Sequence, residues 1–425
     1  MRIFLTVLLT LLVQEVYAAN ANFQFLKTVS ASELNTVLTQ ERDVFMKTSK
    51  AMAPYTLPKA SRAVNDVDLY TVEYDSSVPE QGGRTIRTSG LVALPKTKGS
   101  TPVPLMSYQH GTVFGKYEVP SFAFKKENPS GFAHYDGAYE TRYMVALFAG
   151  NGHALMAADY FGMGLDAQGQ EAYFLKESTQ QANFDLYLDV QKFLKEKDIT
   201  ASQFFLSGWS QGGLNATGFL QRLESEGVKV TAAFTASAPN DPYAALHGLM
   251  YFPRQGLDAI WLNSILALTT FSFESYHNQP GLAQSVIHPR YYADLESIYK
   301  RSYGSPTNLL AMFQKFGNQP LIDYFKDEYK DPAFFANSAY GRLLRRNETY
   351  QQLFKTPLKM YYGSRDEVIK EQIGTLAHTY QKVLIGNTSD ENKSTVQTRR
   401  VPGADHRATF ITAAPDALNW IRKIK

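Results

Sequence analysis

The chain of 425 residues is 44% hydrophobic and 20% charged, a composition that excludes an intrinsically disordered protein and supplies ample apolar material for a folded core. Its formal net charge is only +3 and no long basic run occurs, so we expect no nucleic acid partner. The absence of cysteine excludes disulfide bonds. The length allows one large domain or two.

The first 18 residues have the pattern of a secretory signal peptide. Arg2 gives the positive start, Ile3–Val13 the apolar stretch, and Val16-Tyr17-Ala18 the small-residue cleavage pattern. The apolar stretch is too short to span a bilayer as a helix, and no cysteine follows the cleavage site, so we expect no stable membrane anchor. The sequence therefore predicts a secreted protein, extracellular or periplasmic, that is cleaved after Ala18.

The next elements are predicted to be a helix and an antiparallel strand pair. Ser30–Met52 has the apolar spacing of an amphipathic helix. Val67–Tyr74 and Thr85–Leu94 alternate apolar and polar residues, as strands with one solvated face do. Gln81-Gly82-Gly83 lies between these two segments and is typical of a turn, so we expect the strands to pair as neighbours.

From there on, buried strands alternate with helices. The predicted strands are Val103–Tyr108, His153–Ala158, the run that begins at Phe204, Val228–Ala236, Leu358–Tyr362 and Thr395–Val401. The predicted helices are Phe132–Gly150, Thr179–Lys195, Gln211–Leu223, Glu367–Val383 and Ala408–Ile424. Strands that alternate with helices of this length indicate an α/β fold with a mostly parallel sheet covered on both faces.

One long insertion interrupts the alternation. It begins after Pro239-Asn240-Asp241-Pro242 and continues to about Lys355, and it is helix-like, rich in aromatic residues and without a clean strand. An insertion of this length between two strands of one sheet is typical of a cap over the strand ends. We therefore divide the chain into the signal peptide 1–18, a first part of the core 19–239, a helical cap 240–355 and a second part of the core 356–425.

The sequence Gly208-Trp209-Ser210-Gln211-Gly212 contains the strongest chemical signal. It has the form Gly-x-Ser-x-Gly between a strand and a helix, where a sharp turn projects the serine hydroxyl and side chains at the glycine positions would clash. The free N–H groups of the helix start then lie behind the serine, where negative charge develops during acyl transfer. We predict that Ser210 is a nucleophile; the alternative is a glycine-rich turn that merely contains a serine.

A serine nucleophile needs a base and a carboxylate that orients the base. His406 follows the last predicted strand and precedes the last helix, which favours it as the base, although it could also be an ordinary surface-loop histidine. Asp366 lies four residues beyond the preceding strand and is our choice for the acid. Glu367 and Asp405 are the competitors. We expect Glu367 to start the next helix, and we expect the side chain of Asp405 to point away from its neighbour His406.

The order Ser210, Asp366, His406 along the chain is that of α/β-hydrolases. The motifs around these residues, and one early loop, resemble those of the secretory lipase/esterase family, which includes fungal type-A lipases and secreted bacterial esterases. The resemblance runs from about Tyr70 to the end of the chain and is weakest in the insertion. The motifs are Tyr108-Gln109-His110-Gly111-Thr112, Gly208-Trp209-Ser210-Gln211-Gly212-Gly213, Gly363-Ser364-Arg365-Asp366 and Asp405-His406.

The resemblance implies an oxyanion hole made of two backbone N–H groups. One belongs to Gln211, and the other to the loop after the early buried strand, where we choose Thr112 first and Gly111 second. His110 in the same loop is expected to brace it.

Three further residues near these motifs are candidates for the substrate site, namely His110, Trp209 and Tyr160. Tyr160 follows a central strand at the active-site side and could donate a hydrogen bond near the oxyanion. The alternative, which we favour, is that it belongs to a tight glycine turn beside the sheet.

Ile260–Phe273 is the most apolar stretch of the insertion and would be apolar on more than one face if helical. We expect it to be covered on two sides and to line the space above Ser210 with Trp261, Leu266 and Phe271. The alternative is that this stretch is only the core of the cap.

These observations predict a secreted serine carboxylic-ester hydrolase that acts on a small-molecule, lipid or polymer ester. We find no metal-ligand spacing and no phosphate-binding glycine loop, so we expect no metal and no cofactor. One alternative is a serine peptidase of the prolyl or aminopeptidase kind, which shares the fold and the order of the triad but needs acidic residues in the cap to hold a substrate amine. The other is a non-catalytic binding protein on a hydrolase scaffold.

Overall fold

The computed structural model describes residues 21–59, 61–97, 102–125, 137–316, 319–385 and 395–424. The predicted signal peptide lies outside these ranges. Within them, no helix combines the length and the apolar character needed to cross a membrane.

One mixed sheet of nine strands forms the centre of the described chain, in the spatial order β1-β2-β3-β5-β4-β6-β7-β8-β9. The pairs β1–β2, β2–β3 and β3–β5 are antiparallel. The strands β5, β4, β6, β7, β8 and β9 all run parallel to one another. The predicted α/β class with a mostly parallel sheet is confirmed. The strands are β1 (Asn22–Val29), β2 (Val67–Val78), β3 (Arg84–Pro95), β4 (Val103–Gln109), β5 (Ala154–Ala158), β6 (Ala201–Trp209), β7 (Ala232–Ala236), β8 (Leu358–Gly363) and β9 (Val396–Val401).

Helices cover both faces of the sheet. α1, α2 and α14 pack on one face, and α3, α4 and α13 pack on the other. These helices are α1 (Ala31–Lys47), α2 (Tyr139–Phe148), α3 (Lys176–Glu196), α4 (Gln211–Ser225), α13 (Leu376–Ile385) and α14 (His406–Ile421); the short α12 (Glu371–Gly374) precedes α13.

The register of the parallel strands brings their carboxyl ends to one edge. Gln109 at the end of β4 is opposite Gly208 of β6, and Trp209 is opposite Ala236 at the end of β7. On the far side, Gly363 of β8 pairs with Val401 of β9. The loops that follow β4, β6, β8 and β9 therefore meet at the same edge, which is where ligands bind in open α/β sheets.

Between β7 and β8 the described chain is helical, apart from one isolated bridge between Ile287 and Phe325. We call residues 240–355 the cap. Its buried apolar side chains, which we call the cap cluster, are continuous with core residues such as Phe161, Tyr173 and Val368. Its helices are α5 (Pro242–Tyr251), α6 (Asn263–Tyr276), α7 (Leu282–Val286), α8 (Tyr292–Lys300), α9 (Pro306–Phe316), α10 (Pro332–Asn337) and α11 (Ala339–Arg346).

Polar contacts hold the cap against the loop that follows β4. Arg301, after α8, donates to the carbonyl of Val113 at 3.1 Å and forms a buried ion pair with Glu171 at 2.5 Å. Tyr303 donates its hydroxyl proton to the carbonyl of Phe114. Because a buried ion pair is costly to break, these contacts fix the cap beside the loop that carries Thr112.

The N-terminal region differs from the sequence interpretation. The strand β1 was not predicted; it lies at the edge of the sheet with mostly exposed or half-buried side chains, so its burial gives no clear alternation. The first helix begins where expected, because Ser30 and Glu33 form a capping box, but it ends at Lys47 rather than Met52.

Other boundaries shift as well. α2 begins at Tyr139, and the first residues of the predicted Phe132–Gly150 helix lie outside the described residues. β7 is confined to Ala232–Ala236. The predicted Glu367–Val383 helix begins only at Glu371, because the residues after Asp366 form a turn around its carboxylate, and it is divided at Thr375 into α12 and α13.

Phe45 on α1 anchors this helix behind the segment that carries the serine. Its ring lies 5.4 Å from that of Trp209, 4.8 Å from Tyr139 and 5.1 Å from Phe410, and the side chain is fully buried. We therefore expect Phe45→Ala to lower the free energy of unfolding by about 3–5 kcal/mol in a denaturant titration. The neighbouring Val44→Ala, on the exposed face, is the control and should change it by less than about 0.5 kcal/mol. Equal effects of the two would contradict the packing of α1.

Candidate active site

Ser210 occupies a sharp turn between β6 and α4. Its backbone has φ 57° and ψ −124°, a conformation that a non-glycine residue rarely adopts and that is associated with functional sites. A Cβ at Gly208 would lie 1.9 Å from the carbonyl oxygen of Gly212. A Cβ at Gly212 would lie 2.0 Å from the carbonyl oxygen of Gln109, in the neighbouring strand β4. Both positions therefore need glycine, and the second brings the serine turn against the loop after β4.

His406 and Asp366 meet beside this turn. Nδ1 of His406 lies 3.0 Å from both carboxylate oxygens of Asp366, and both side chains are buried. Oδ1 of Asp366 also accepts the N–H groups of Val368 at 2.9 Å and Ile369 at 2.7 Å. With Nδ1 bound to the carboxylate, Nε2 is the ring nitrogen that remains for proton transfer.

The two competing carboxylates have other contacts. Glu367 does not start a helix, as the sequence suggested; α12 begins at Glu371, and the Glu367 carboxylate instead accepts the backbone N–H of His406 at 2.9 Å. Asp405 is the N-cap of α14, where it accepts the N–H of Ala408 at 2.8 Å and that of Lys50. Of the three acids, Asp366 is the one hydrogen-bonded to the imidazole ring.

Burial and neighbouring charges shift the pKa values of Asp366 and His406. Burial opposes ionisation of Asp366, but the neighbouring His406 and the N–H donors outweigh it and hold the pKa of this carboxyl below its usual range. Burial likewise lowers the pKa of His406, yet the carboxylates of Asp366 and Glu367 outweigh it and raise the pKa above the ordinary histidine value. The pair is thus electrostatically suited to hold a proton on the imidazole during a reaction.

The loop after β4 supplies backbone donors next to Ser210. The N–H of Gly111 already donates to Oε1 of Glu140 at 2.5 Å. Among the described residues, neither the N–H of Thr112 nor that of Gln211 has an acceptor. Thr112, whose hydroxyl lies 2.8 Å from that of Tyr173, is therefore better placed than Gly111 to donate to an oxyanion together with Gln211.

Glu140 was not singled out in the sequence, although it binds this loop. It lies in the first turn of α2, is buried, and burial raises its pKa to about 8, so its carboxyl holds a proton at neutral pH. In the sequence, Glu140 is visible only as an acidic residue within a predicted helix whose other residues are largely apolar.

His110 and Tyr160 brace the same loop from within the core. Their rings stack with centroids 4.2 Å apart, and the Tyr160 hydroxyl donates to the carbonyl of His110 at 3.1 Å. His110 Nδ1 lies 2.8 Å from the Gly111 carbonyl, and burial lowers the pKa of His110 to about 4. Neither side chain lines a cavity that contains Ser210. Their contacts are those of structural braces.

Trp209 links the serine turn to the histidine. Its indole N–H donates to the carbonyl of His406 at 3.1 Å, and the two rings lie 4.9 Å apart. Trp209 also lines the larger of the two cavities at Ser210.

Two cavities meet at Ser210. The larger, of about 400 Å³, is bordered by Thr112, Ser210 and His406, and the cap residues Trp261 and Phe313. The smaller, of about 30 Å³, is lined by Ser210 and by mostly apolar residues of α5, α6 and the loop after β8. Ser210 is the residue that the linings of the two cavities share.

The apolar stretch of the cap lies over Ser210, but with a different face from the one expected. Trp261 borders the larger cavity. Leu266 and Phe271 border neither; both are buried, and Phe271 packs on Tyr292 and Tyr299. The residues of α6 and its start that line the small cavity are Leu262, Ile265 and Thr269.

Within the ranges described above, no group of three or more His, Asp or Glu side chains is arranged to bind a metal ion.

Comparison with known proteins gives matches in structure alone. No protein-family model matches the sequence. No curated protein matches it either. The fold is similar to that of a proposed hydrolase from Legionella pneumophila, with a TM-score of 0.74, 19% identity and coverage of 95% of this chain and 97% of the other.

Two further solved structures are similar to this chain. One is the rice cell wall degrading esterase LipA from Xanthomonas oryzae, with a TM-score of 0.67, 19% identity, and coverage of 94% of this chain and 96% of the other. The other is Candida antarctica lipase A, with a TM-score of 0.59, 13% identity, and coverage of 80% and 73%. The sheet order, the strand-turn-helix at Ser210 and these neighbours together show that the chain has the α/β-hydrolase fold.

Proposed function

We propose that this protein is a secreted serine esterase or lipase, which hydrolyses carboxylic esters through an acyl-enzyme on Ser210, and that it is related to the secretory lipase/esterase family. The observation that carries the proposal is the His406–Asp366 hydrogen bond beside the strained serine turn, with Ser210 and His406 bordering one cavity. The esterase and lipase among the structural neighbours support the same reaction class. The substrate is a small-molecule, lipid or polymer ester, and we propose no nucleic acid partner and no stable membrane anchor.

In the acylation step, Nε2 of His406 takes the proton of the Ser210 hydroxyl while Oγ attacks the ester carbonyl carbon. The carbonyl oxygen becomes an oxyanion that accepts hydrogen bonds from the N–H groups of Gln211 and Thr112. As the tetrahedral intermediate collapses, the bond to the alcohol oxygen breaks and His406 donates its proton to that oxygen. The negative charge of Asp366 stabilises the imidazolium in between.

In the deacylation step, a water molecule takes the place of the alcohol. His406 accepts one proton of the water, whose oxygen attacks the acyl carbon. The bond between that carbon and Oγ of Ser210 then breaks, and His406 returns the proton to Oγ. The carboxylic acid leaves and the enzyme is restored.

The cavity argues against the peptidase alternative. A peptidase that binds a free substrate amine needs an available carboxylate near the serine. The larger cavity contains Glu118 and Glu367. Oε2 of Glu118 accepts the N–H groups of Phe114 and Gly115, and Oε2 of Glu367 accepts that of His406. Burial raises the pKa of both carboxyls and so disfavours the charged form that an ammonium group would need. Hydrolysis of p-nitrophenyl acyl esters in preference to aminoacyl-nitroanilides is therefore expected, and the reverse preference would favour the peptidase.

Replacing the nucleophile should abolish turnover while the fold is kept. We expect Ser210→Ala to lower kcat for a p-nitrophenyl ester by on the order of 10⁴-fold or more. Ser202→Ala, an exposed position on the same strand β6, is the matched control and should keep parental activity. A Ser210→Ala protein that retains a tenth of the parental rate would show that the nucleophile is another residue.

The two neighbouring acids should differ in their effect on kcat. Asp366→Asn removes the charge that stabilises the imidazolium and should lower kcat by on the order of 10³- to 10⁴-fold. Glu367→Gln keeps an oxygen that can accept the His406 N–H, so we expect a much smaller loss. If Glu367→Gln has the larger effect, the orienting acid is Glu367.

The pH dependence should follow the raised pKa of His406. Because the base must be neutral, the rate falls as the pH drops through this pKa, which the carboxylates of Asp366 and Glu367 raise above the ordinary histidine value against the effect of burial. Glu367→Gln removes a carboxylate that raises this pKa, so the acid limb of kcat/KM should move to lower pH. Glu196→Gln, at the exposed end of α3, should leave the limb in place. An unchanged limb in Glu367→Gln would contradict this electrostatic account.

A further inference from the structure

The division of space around Ser210 constrains which part of an ester goes where. In the acylation step, His406 must give its proton to the leaving alcohol oxygen, so that oxygen has to lie on the His406 side of the serine. His406 borders the cavity of about 400 Å³ and not the one of about 30 Å³. The alcohol part of the substrate therefore extends into the larger cavity, and the small one remains for the acyl part.

The small cavity, which we call the acyl pit, has the character of an acyl site. Its walls include Leu246 and Leu249 of α5, Leu262 and Ile265 at the start of α6, and Val368 after β8. These side chains are apolar, so the pit favours hydrocarbon over a polar group. A volume of about 30 Å³ is close to the share of one water molecule in the liquid, so the pit accepts only the first few carbons of an acyl chain.

The larger cavity has a different chemistry. Aromatic rings form much of its wall, including Phe114, Trp209, Trp261 and Phe313. Arg407 also borders this cavity, and its guanidinium donates to the hydroxyl of Tyr139 at 3.2 Å. Such a wall suits a bulky, ring-bearing alcohol, since flat rings stack on aromatic side chains.

We propose that the protein removes short acyl groups, of two to about four carbons, from a bulky ring-bearing alcohol, with the acyl group in the pit beside Ser210 and the alcohol in the cavity that contains His406. This inference rests on the proposed esterase function and specifies its substrate class. The residues of α5 and α6 that border the pit set the limit on acyl chain length.

The first test measures kcat/KM over p-nitrophenyl acetate, butyrate, hexanoate and octanoate. The kcat/KM of the parent protein should fall at least tenfold between butyrate and hexanoate, since a filled pocket discriminates by about that factor against each added methylene group. Octanoate hydrolysed as fast as butyrate would overturn the proposal while leaving the esterase function intact. No hydrolysis of any ester in the series would instead count against the esterase function itself.

Two variants change the size of the pit in opposite directions. Ala245→Leu, on α5, fills part of the pit with a larger side chain and should lower the butyrate-to-acetate ratio of kcat/KM at least tenfold. Ile265→Ala, on α6, shortens a wall side chain, so it enlarges the pit and should raise the hexanoate-to-butyrate ratio of kcat/KM. Leu266→Val is the matched control on the same helix; Leu266 is buried and does not line the pit, so the ratios should stay parental. If both pit variants fold, as judged by thermal melting, and keep the parental profile, the acyl site lies elsewhere.

The alcohol side is tested with acetates of alcohols that have similar acidity but different size. Benzyl acetate should be hydrolysed at least tenfold faster in kcat/KM than ethyl acetate, and Trp261→Ala should reduce this preference. Equal rates for the two acetates in the parent would show that the larger cavity does not select the alcohol, and would overturn that half of the proposal.

Discussion

Asp366 is a buried carboxylate at the edge of the sheet, and such a group is costly unless it is paired and hydrogen-bonded. The imidazole of His406 and the two N–H groups that follow Asp366 meet this requirement together. The tight turn that results delays the next helix to Glu371 and leaves Glu367 free to accept the backbone N–H of His406. One buried charge thus determines the local chain path and the position of the base.

The serine side of the site depends on close approach between backbones. Gly212 brings the start of α4 against the carbonyl of Gln109, and this contact places the loop after β4 within reach of the oxyanion. The same loop is held from below by Glu140 and from above by Arg301 and Tyr303 of the cap. The cap therefore does more than cover Ser210, since it also fixes the donors that stabilise developing charge.

Much of this arrangement could be predicted from local sequence. The strand-turn-helix around Ser210, the alternation of β4 to β9 with helices, and the placement of Asp366 and His406 after neighbouring strands all follow from short patterns. The contact partners of Glu367 and Glu140 could not be predicted, because they depend on loops that are distant in sequence. The raised pKa of His406 has the same origin, since it depends on two carboxylates about 40 residues away.

The orientation of α6 could not be predicted from the sequence either. Its stretch is apolar on several faces, so periodicity cannot decide which face meets the active site and which meets the cap. Ile265 lines the pit, whereas Leu266, the next residue along the helix, is buried and does not line it. Strand β1 was missed for a related reason, because an exposed edge strand has no buried face to reveal it.

The central claim is that Ser210 is the residue that becomes acylated. The most direct test treats the full chain with a fluorophosphonate, which phosphonylates an activated serine, and locates the adduct by fragmentation of the tryptic peptide 198–222, which also contains Ser202 and Ser207. The account predicts one adduct per chain, on Ser210, and slower labelling of Asp366→Asn. Labelling of another residue at the same rate in Ser210→Ala as in the parent would contradict it.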